Sequence, residues 1–140
     1  MIRRESVDER IQVLASVAIM RGKRTLLILE QEEPYNGEWV LPQGYVKTGE
    51  PVSEAARREV REELGVEVEL TGLIGVYDDF YHERTTHRVI IAYSGRIKGQ
   101  AEPKPTAEAI DHAWVDVSRG LPRVPAVVRR VLLDAAREFG

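Results

Sequence analysis

The run from Gly44 to Val66, GYVKTGEPVSEAARREVREELGV, constrains this chain more than any other stretch. It joins a glycine-bearing turn to a helix and a helix stop, and it is dense in carboxylates. Pro51 suits a first helical position, because its φ is already helical and its missing N–H would be an orphan there. Val52, Ala55, Ala56, Val60 and Leu64 recur at helical spacing. Gly65 ends the run, since glycine tolerates the left-handed backbone found just past a helix.

The charges on this helix divide into two groups. Glu54, Arg57 and Arg61 fall opposite the apolar stripe and make an ordinary solvated face. Glu59, Glu62 and Glu63 fall instead within one arc of roughly 100°, and Glu59 and Glu63 share a sector with Val52 and Ala56. Like charges three and four residues apart repel one another, and carboxylates beside a packing face lose solvation. A hard divalent cation offsets both terms, because Mg²⁺ takes oxygen ligands from one or two carboxylates together with substrate phosphates. Glutamate is also a good helix former, so a charged surface helix is the plain alternative. The side of the helix on which the acids lie, and the turn that precedes it, tell against that alternative.

The stretch resembles the Nudix box, G-x5-E-x7-R-E-U-x-E-E-x-G-U, where U is a bulky aliphatic residue. Gly44, Glu50, Arg58, Glu59, Val60, Glu62, Glu63, Gly65 and Val66 fill every specified position. The resemblance implies an α/β fold, an α/β/α sandwich around a mixed central sheet, and a hydrolase that cleaves phosphoanhydrides with Mg²⁺, Mn²⁺ being able to substitute. It implies that Glu62 and Glu63 bind metal, and that Glu59 either binds metal or accepts the proton of the attacking water. Arg58 would fix a neighbouring carboxylate by a charge-assisted hydrogen bond. Glu50 would brace the turn or contribute through water, and the carbonyl of Gly44 would be a further ligand. Many members carry two glycines at this turn, whereas Gln43 stands at the first here. The family often adds an acid from a later loop, upstream of a Trp-containing strand. Glu108, before Trp114, is in a comparable place, and Glu83 is its competitor.

Composition narrows the class from another direction. At 140 residues the chain suits one domain spanning 1–140, large enough to bury a real core. It has no cysteine, so no disulfide frame, thiolate metal site or cysteine nucleophile is available; that fits the cytoplasm. A net charge of −3 argues against a partner such as a nucleic acid duplex, which needs a basic stripe, but not against a small nucleotide substrate. Arg3 and Arg4 ahead of the apolar run 11–20 superficially suggest a leader. Asp8, Glu9 and Arg10 interrupt it, and the run is too short to span a bilayer. No membrane partner is expected.

The remaining elements follow in order. Residues 12–20 and 25–30 read as a hairpin about the turn 21–24. Residues 31–38 read as loop, 39–41 as a short apolar segment leading to the turn at 42–44, and 66–76 as a strand. Residues 78–86, polar and aromatic, read as a loop near the site. Residues 87–95 and 110–117 read as strands, with the loop 98–106 between them and a turn region at 119–124. Pro125 opens a closing helix with Val127, Val128, Val131, Leu132, Ala135 and Phe139 on one stripe.

Substrate contacts are less constrained. Trp39 suits either a base contact or the core, and Tyr81 and Arg84 fall where a nucleotide could be met. Arg88, Lys47 and Lys104 can meet phosphates, although solubility is the default use of surface cations. His82, His87 and His112 lack metal-ligand spacing. The proline that marks many ADP-ribose hydrolases soon after the box is missing, since no proline occurs between the box and Pro103. Tyr81 and the sequence W-x-x-P-Q-G at residues 39–44 resemble the dinucleoside polyphosphate branch. Nucleoside triphosphates and dinucleoside polyphosphates therefore stand ahead of ADP-ribose and nucleotide sugars. A binding module without turnover is the alternative from another class, disfavoured by the intact box. Small members of the family are often homodimers; the sequence itself carries no dimer signal.

Overall fold

The computed structural model describes residues 11–81 and 86–139, with Phe139 described by its backbone alone. Among these residues seven strands form one mixed sheet, and two helices pack on it. The strands are β1 (Ile11–Arg21), β2 (Arg24–Leu29), β3 (Trp39–Val40), β4 (Gln43–Tyr45), β5 (Val68–Tyr81), β6 (Thr86–Ile97) and β7 (His112–Asp116). Helix α1 spans Val52–Leu64 and α2 spans Ala126–Phe139. The sheet runs β3-β2-β1-β6-β5, with β4 also pairing β1 and β7 pairing β2.

The β1–β6 pair is parallel and the other pairs are antiparallel, which makes the sheet mixed. Residues Leu14 to Ile19 of β1 are buried without a break, as in a strand covered on both faces. From α1 the core takes Ala55, Ala56, Val60 and Leu64; from α2 it takes Val127, Val128, Val131, Leu132 and Ala135. The architecture is the expected α/β/α sandwich. No helix among the described residues is long and apolar enough to cross a membrane.

Several boundaries differ from the sequence reading, each for a physical reason. Pro51 caps α1 rather than opening it: its φ of −59° is helical, but its ψ of 143° is extended, and its carbonyl accepts the N–H of Ala55. Gly65, by contrast, ends α1 as expected, left-handed at φ 67° with its N–H donating to the carbonyl of Arg61. Gln43 and Gly44 form part of β4 instead of a bare turn, because they pair with Ser16 and Ala15 of β1. The largest difference concerns residues 78–81, which continue β5 rather than forming a loop. Asp78, Asp79, Phe80 and Tyr81 pair with Val89, Arg88, His87 and Thr86, and burial alternates along them with Tyr77 and Asp79 inward. The buried Asp79 is tolerated because the Tyr35 hydroxyl donates to it at 2.7 Å. His82, Glu83 and Arg84 lie outside the described residues.

Candidate active site

Helix α1, strand β4 and the loop that leads to β7 meet at an open cavity of about 760 Å³, lined among others by Gly44, Arg58, Glu59, Glu62, Glu63 and Glu108. The geometry begins with Arg58. Its guanidinium grips Glu50 through two hydrogen bonds, Nε to Oε2 at 2.7 Å and Nη2 to Oε1 at 3.0 Å. Nη1 donates to Glu59 at 2.6 Å and to Glu62 at 3.2 Å, while Nη2 also reaches the Tyr45 carbonyl at 3.0 Å. One planar fork thus ties the turn, β4 and two helix carboxylates together, a task suited to arginine and not to lysine. The turn closes on itself as well: the Lys47 N–H donates to the Glu50 carboxylate, and the Glu50 N–H donates to the Lys47 carbonyl.

Gly44 leaves room for a carboxylate. A Cβ there would meet the end of the Glu59 side chain, so Glu59 keeps this place against β4 only because the residue is glycine. Glu63 lies one helical turn beyond Glu59 and is buried; the N–H of Gln43 donates to its Oε1 at 3.0 Å.

Glu108 comes from a loop that is fastened to the C-terminal end of α1. The Thr106 hydroxyl donates to the Glu63 carbonyl at 2.8 Å and accepts the N–H groups of Glu108 and Ala109, each at 3.2 Å. The Lys104 N–H donates to the Leu64 carbonyl at 2.9 Å. These bonds satisfy carbonyls that a helix end leaves without partners, and they bring Glu108 back to the cavity. As a result one oxygen each from Glu59, Glu62 and Glu108 lies within 4.8 Å of the others. An all-oxygen anionic trio of that span fits a hard divalent cation. Glu63 lines the same cavity.

Burial sets the protonation of these acids. It raises the Glu63 carboxyl well above its ordinary range, with the nearby Glu59 charge adding to the effect. Burial also raises Glu59, against the opposing pull of Arg58. Glu50 goes the other way: its hydrogen bonds from Arg58 lower it to about 2. The helix thus presents two carboxylates held above their ordinary proton affinity beside a third residue locked in its ionised form. A bound cation would relieve the first two.

The structure brings Gly44, Glu50, Arg58, Glu59, Glu62, Glu63 and Glu108 to one place. It does not bring Trp39 there. Trp39 is half-buried in β3, donates its N–H to the Arg123 carbonyl and packs against the core. Tyr81 ends β5, where its ring meets Tyr35 edge-on and helps line a second cavity of about 600 Å³. Arg84 is outside the described residues. His87 pairs with Asp78 at 2.8 Å, away from the carboxylate trio. The sequence reading missed Thr106, whose place before an acid in a Pro-bearing loop is the only local signal. It also passed over Glu30, whose charge adds to the rise at Glu63.

Known proteins resemble this chain over most of its length. A NUDIX domain model matches residues 10–134. An ADP-ribose pyrophosphatase of Methanocaldococcus jannaschii is 29% identical over 119 residues, covering 85% of this chain and 69% of that protein. A human 8-oxo-dGDP phosphatase is 31% identical over 105 residues, and the matched part is 73% of this chain but only 31% of that protein. The crystal structure of a MutT NUDIX hydrolase from Burkholderia pseudomallei superposes with a TM-score of 0.82 at 30% identity, covering 90% of this chain and 98% of that one.

Proposed function

This chain belongs to the Nudix family of pyrophosphohydrolases, and from that premise we propose that it cleaves the phosphoanhydride of a nucleoside diphosphate linked to a further group. Mg²⁺ is the proposed cofactor, Mn²⁺ its substitute, and nucleoside triphosphates and dinucleoside polyphosphates the favoured substrates. The observation that carries this reading is the convergence of Glu59, Glu62 and Glu108 within 4.8 Å, in a cavity open enough for a nucleotide. In the reaction a water oxygen bonds to one phosphorus, the bridging P–O bond on that phosphorus breaks, and the water proton passes to a carboxylate.

Glu59, Glu62 and Glu108 would hold the cation, with Glu63 and the Gly44 carbonyl, which line the same cavity, as further ligands. When bound, the cation shields the phosphate charge and lowers the pKa of water. Glu59 either shares in holding the cation or accepts the proton of the attacking water, and Arg58 fixes its orientation for either role. Arg58 and Glu50 act through position, since their charges are matched to each other.

ADP-ribose is the second reading, favoured by the name of the Methanocaldococcus jannaschii relative. Against it stands the lack of a proline between the box and Pro103. A panel of nucleoside triphosphates, dinucleoside polyphosphates, ADP-ribose and nucleotide sugars, assayed with Mg²⁺ and with Mn²⁺ and with products separated, decides between them. Turnover of none of these would overturn the proposal in favour of a binding module.

A further inference from the structure

A polyanionic substrate needs cations in the cavity, and the described cavity wall is mainly acidic: Glu30, Glu32, Glu59, Glu62, Glu63 and Glu108 against Lys47, Arg58 and Arg88. Arg58 is matched to Glu50, Glu59 and Glu62 and has little charge left to offer. Lys47 is exposed, on a flexible stem. Arg88 is different in kind.

Arg88 lies on β6 directly across from Asp79 of β5, so the two side chains leave the sheet on the same face. Opposite charges in that relation ordinarily pair. Here they do not, and among the described residues Arg88 has no carboxylate partner. Its Nε is buried without a hydrogen-bond acceptor, and Asp79 Oδ2 is buried without a donor. The guanidinium is held instead between two rings, 5.7 Å from the centroid of Tyr45 and 5.1 Å from that of Tyr81. Its Nη2 donates to the Tyr45 hydroxyl at 3.1 Å. Aromatic faces and a hydroxyl orient a guanidinium without neutralising it. The charge is therefore kept for an anion, at the wall of the cavity that holds the carboxylate trio.

We propose that Arg88 is the phosphate-gripping residue of this cavity, donating its fork to non-bridging oxygens of the substrate's diphosphate, with Tyr45 and Tyr81 as the residues that position it. The inference rests on the pyrophosphohydrolase reading for its context, but its test does not depend on turnover. Binding of inorganic pyrophosphate in the presence of Mg²⁺ is measured by calorimetry for the wild type, Arg88→Gln, Arg88→Lys, Tyr45→Phe and Tyr45→Leu. Steady-state kinetics on whichever nucleotide the panel identifies run in parallel.

Arg88→Gln weakens pyrophosphate binding and lowers kcat/KM on the order of 10- to 100-fold, the usual range for charged hydrogen bonds. Arg88→Lys recovers part of the loss, because it restores charge without the fork. Tyr45→Phe keeps the ring and stays closer to the wild type than Tyr45→Leu. Mn²⁺ affinity without pyrophosphate stays unchanged in all four variants, which separates a lost phosphate contact from a disturbed metal site. Pyrophosphate affinity and kcat/KM within twofold of wild type in Arg88→Gln overturn the proposal, even if the wild type turns over nucleotides and the proposed function stands. If Arg88→Gln fails to fold, Arg88→Lys decides: pyrophosphate affinity equal to wild type overturns the proposal, and a loss supports it. If the wild type hydrolyses nothing in the panel, the binding series still decides the role of Arg88.

Discussion

The two helices are nearly equal in length, 13 residues in α1 and 14 in α2, and both lay an apolar stripe on the sheet. Among the described side chains of α2 the buried ones are all aliphatic: Val127, Val128, Val131, Leu132 and Ala135. Along α1 the buried series Ala55, Ala56, Val60 and Leu64 is interrupted by Glu63, with the half-buried Glu59 one turn before it. A helix selected for packing alone would not place a carboxylate there, because burying an ionised group without a matched partner is costly. The difference separates a helix that holds the fold from one that gives up stability to keep charge in place.

Four experiments break or sharpen that comparison. The largest effect is expected for Glu59→Gln, which keeps shape and removes a carboxylate proposed to hold metal or accept the proton: kcat falls by roughly 10²- to 10⁴-fold while the circular dichroism spectrum is unchanged. Near-normal turnover would remove Glu59 from the chemistry. Next is Leu132→Ala in α2, which opens a cavity in a fully buried position and costs about 2–5 kcal/mol in denaturant unfolding. Its kcat on the folded fraction stays at the wild-type value; a matching loss of kcat would mean that α2 takes part in the chemistry.

Thr106→Val comes third. It removes the hydroxyl that ties Glu63 to Glu108, and it weakens Mn²⁺ binding by about tenfold, in line with a lost bond or two of about 1 kcal/mol each. Unchanged metal affinity would show that Glu108 needs no such tether.

The smallest effect is the dependence of stability on pH. Glu63 and Glu59 are raised in the folded protein above their ordinary 4.5, so their contribution is fully present below that value and is lost as pH rises through their folded pKa. Glu50 has the opposite sign: its contribution is present above 4.5 and is lost as pH falls toward about 2. Without metal, thermal unfolding should shift down by a few degrees as pH rises from about 4.5 toward neutrality. Mg²⁺ should abolish that decline, and Glu63→Gln should flatten it. A Tm that rises through the same window without metal would contradict the burial argument.

Much of α1 was legible because its signals are local. Helical periodicity, the fixed φ of Pro51 and the left-handed Gly65 are properties of neighbouring residues, and the placement of Glu59 and Glu63 on the packing side follows from spacing alone. The end of β5 was not legible. Asp78 and Asp79 read as loop residues, yet Asp79 is stabilised by Tyr35, 44 residues away in the chain, and the pairing with β6 supplies the rest. The same limit explains Thr106 and Arg88. The first acts by holding a helix carbonyl 43 positions earlier, the second by lying between rings from β4 and β5. Contacts of that range leave no trace in a local pattern.

The central claim is that the acids on α1 and the Glu108 loop exist to hold a divalent cation against a phosphoanhydride. A crystal structure with Mn²⁺, read by anomalous scattering, tests it most directly. The account predicts a strong peak bounded by oxygens of Glu59, Glu62 and Glu108, and loss of that peak in Glu62→Gln. A map without a peak at those three carboxylates, under saturating Mn²⁺, would contradict it.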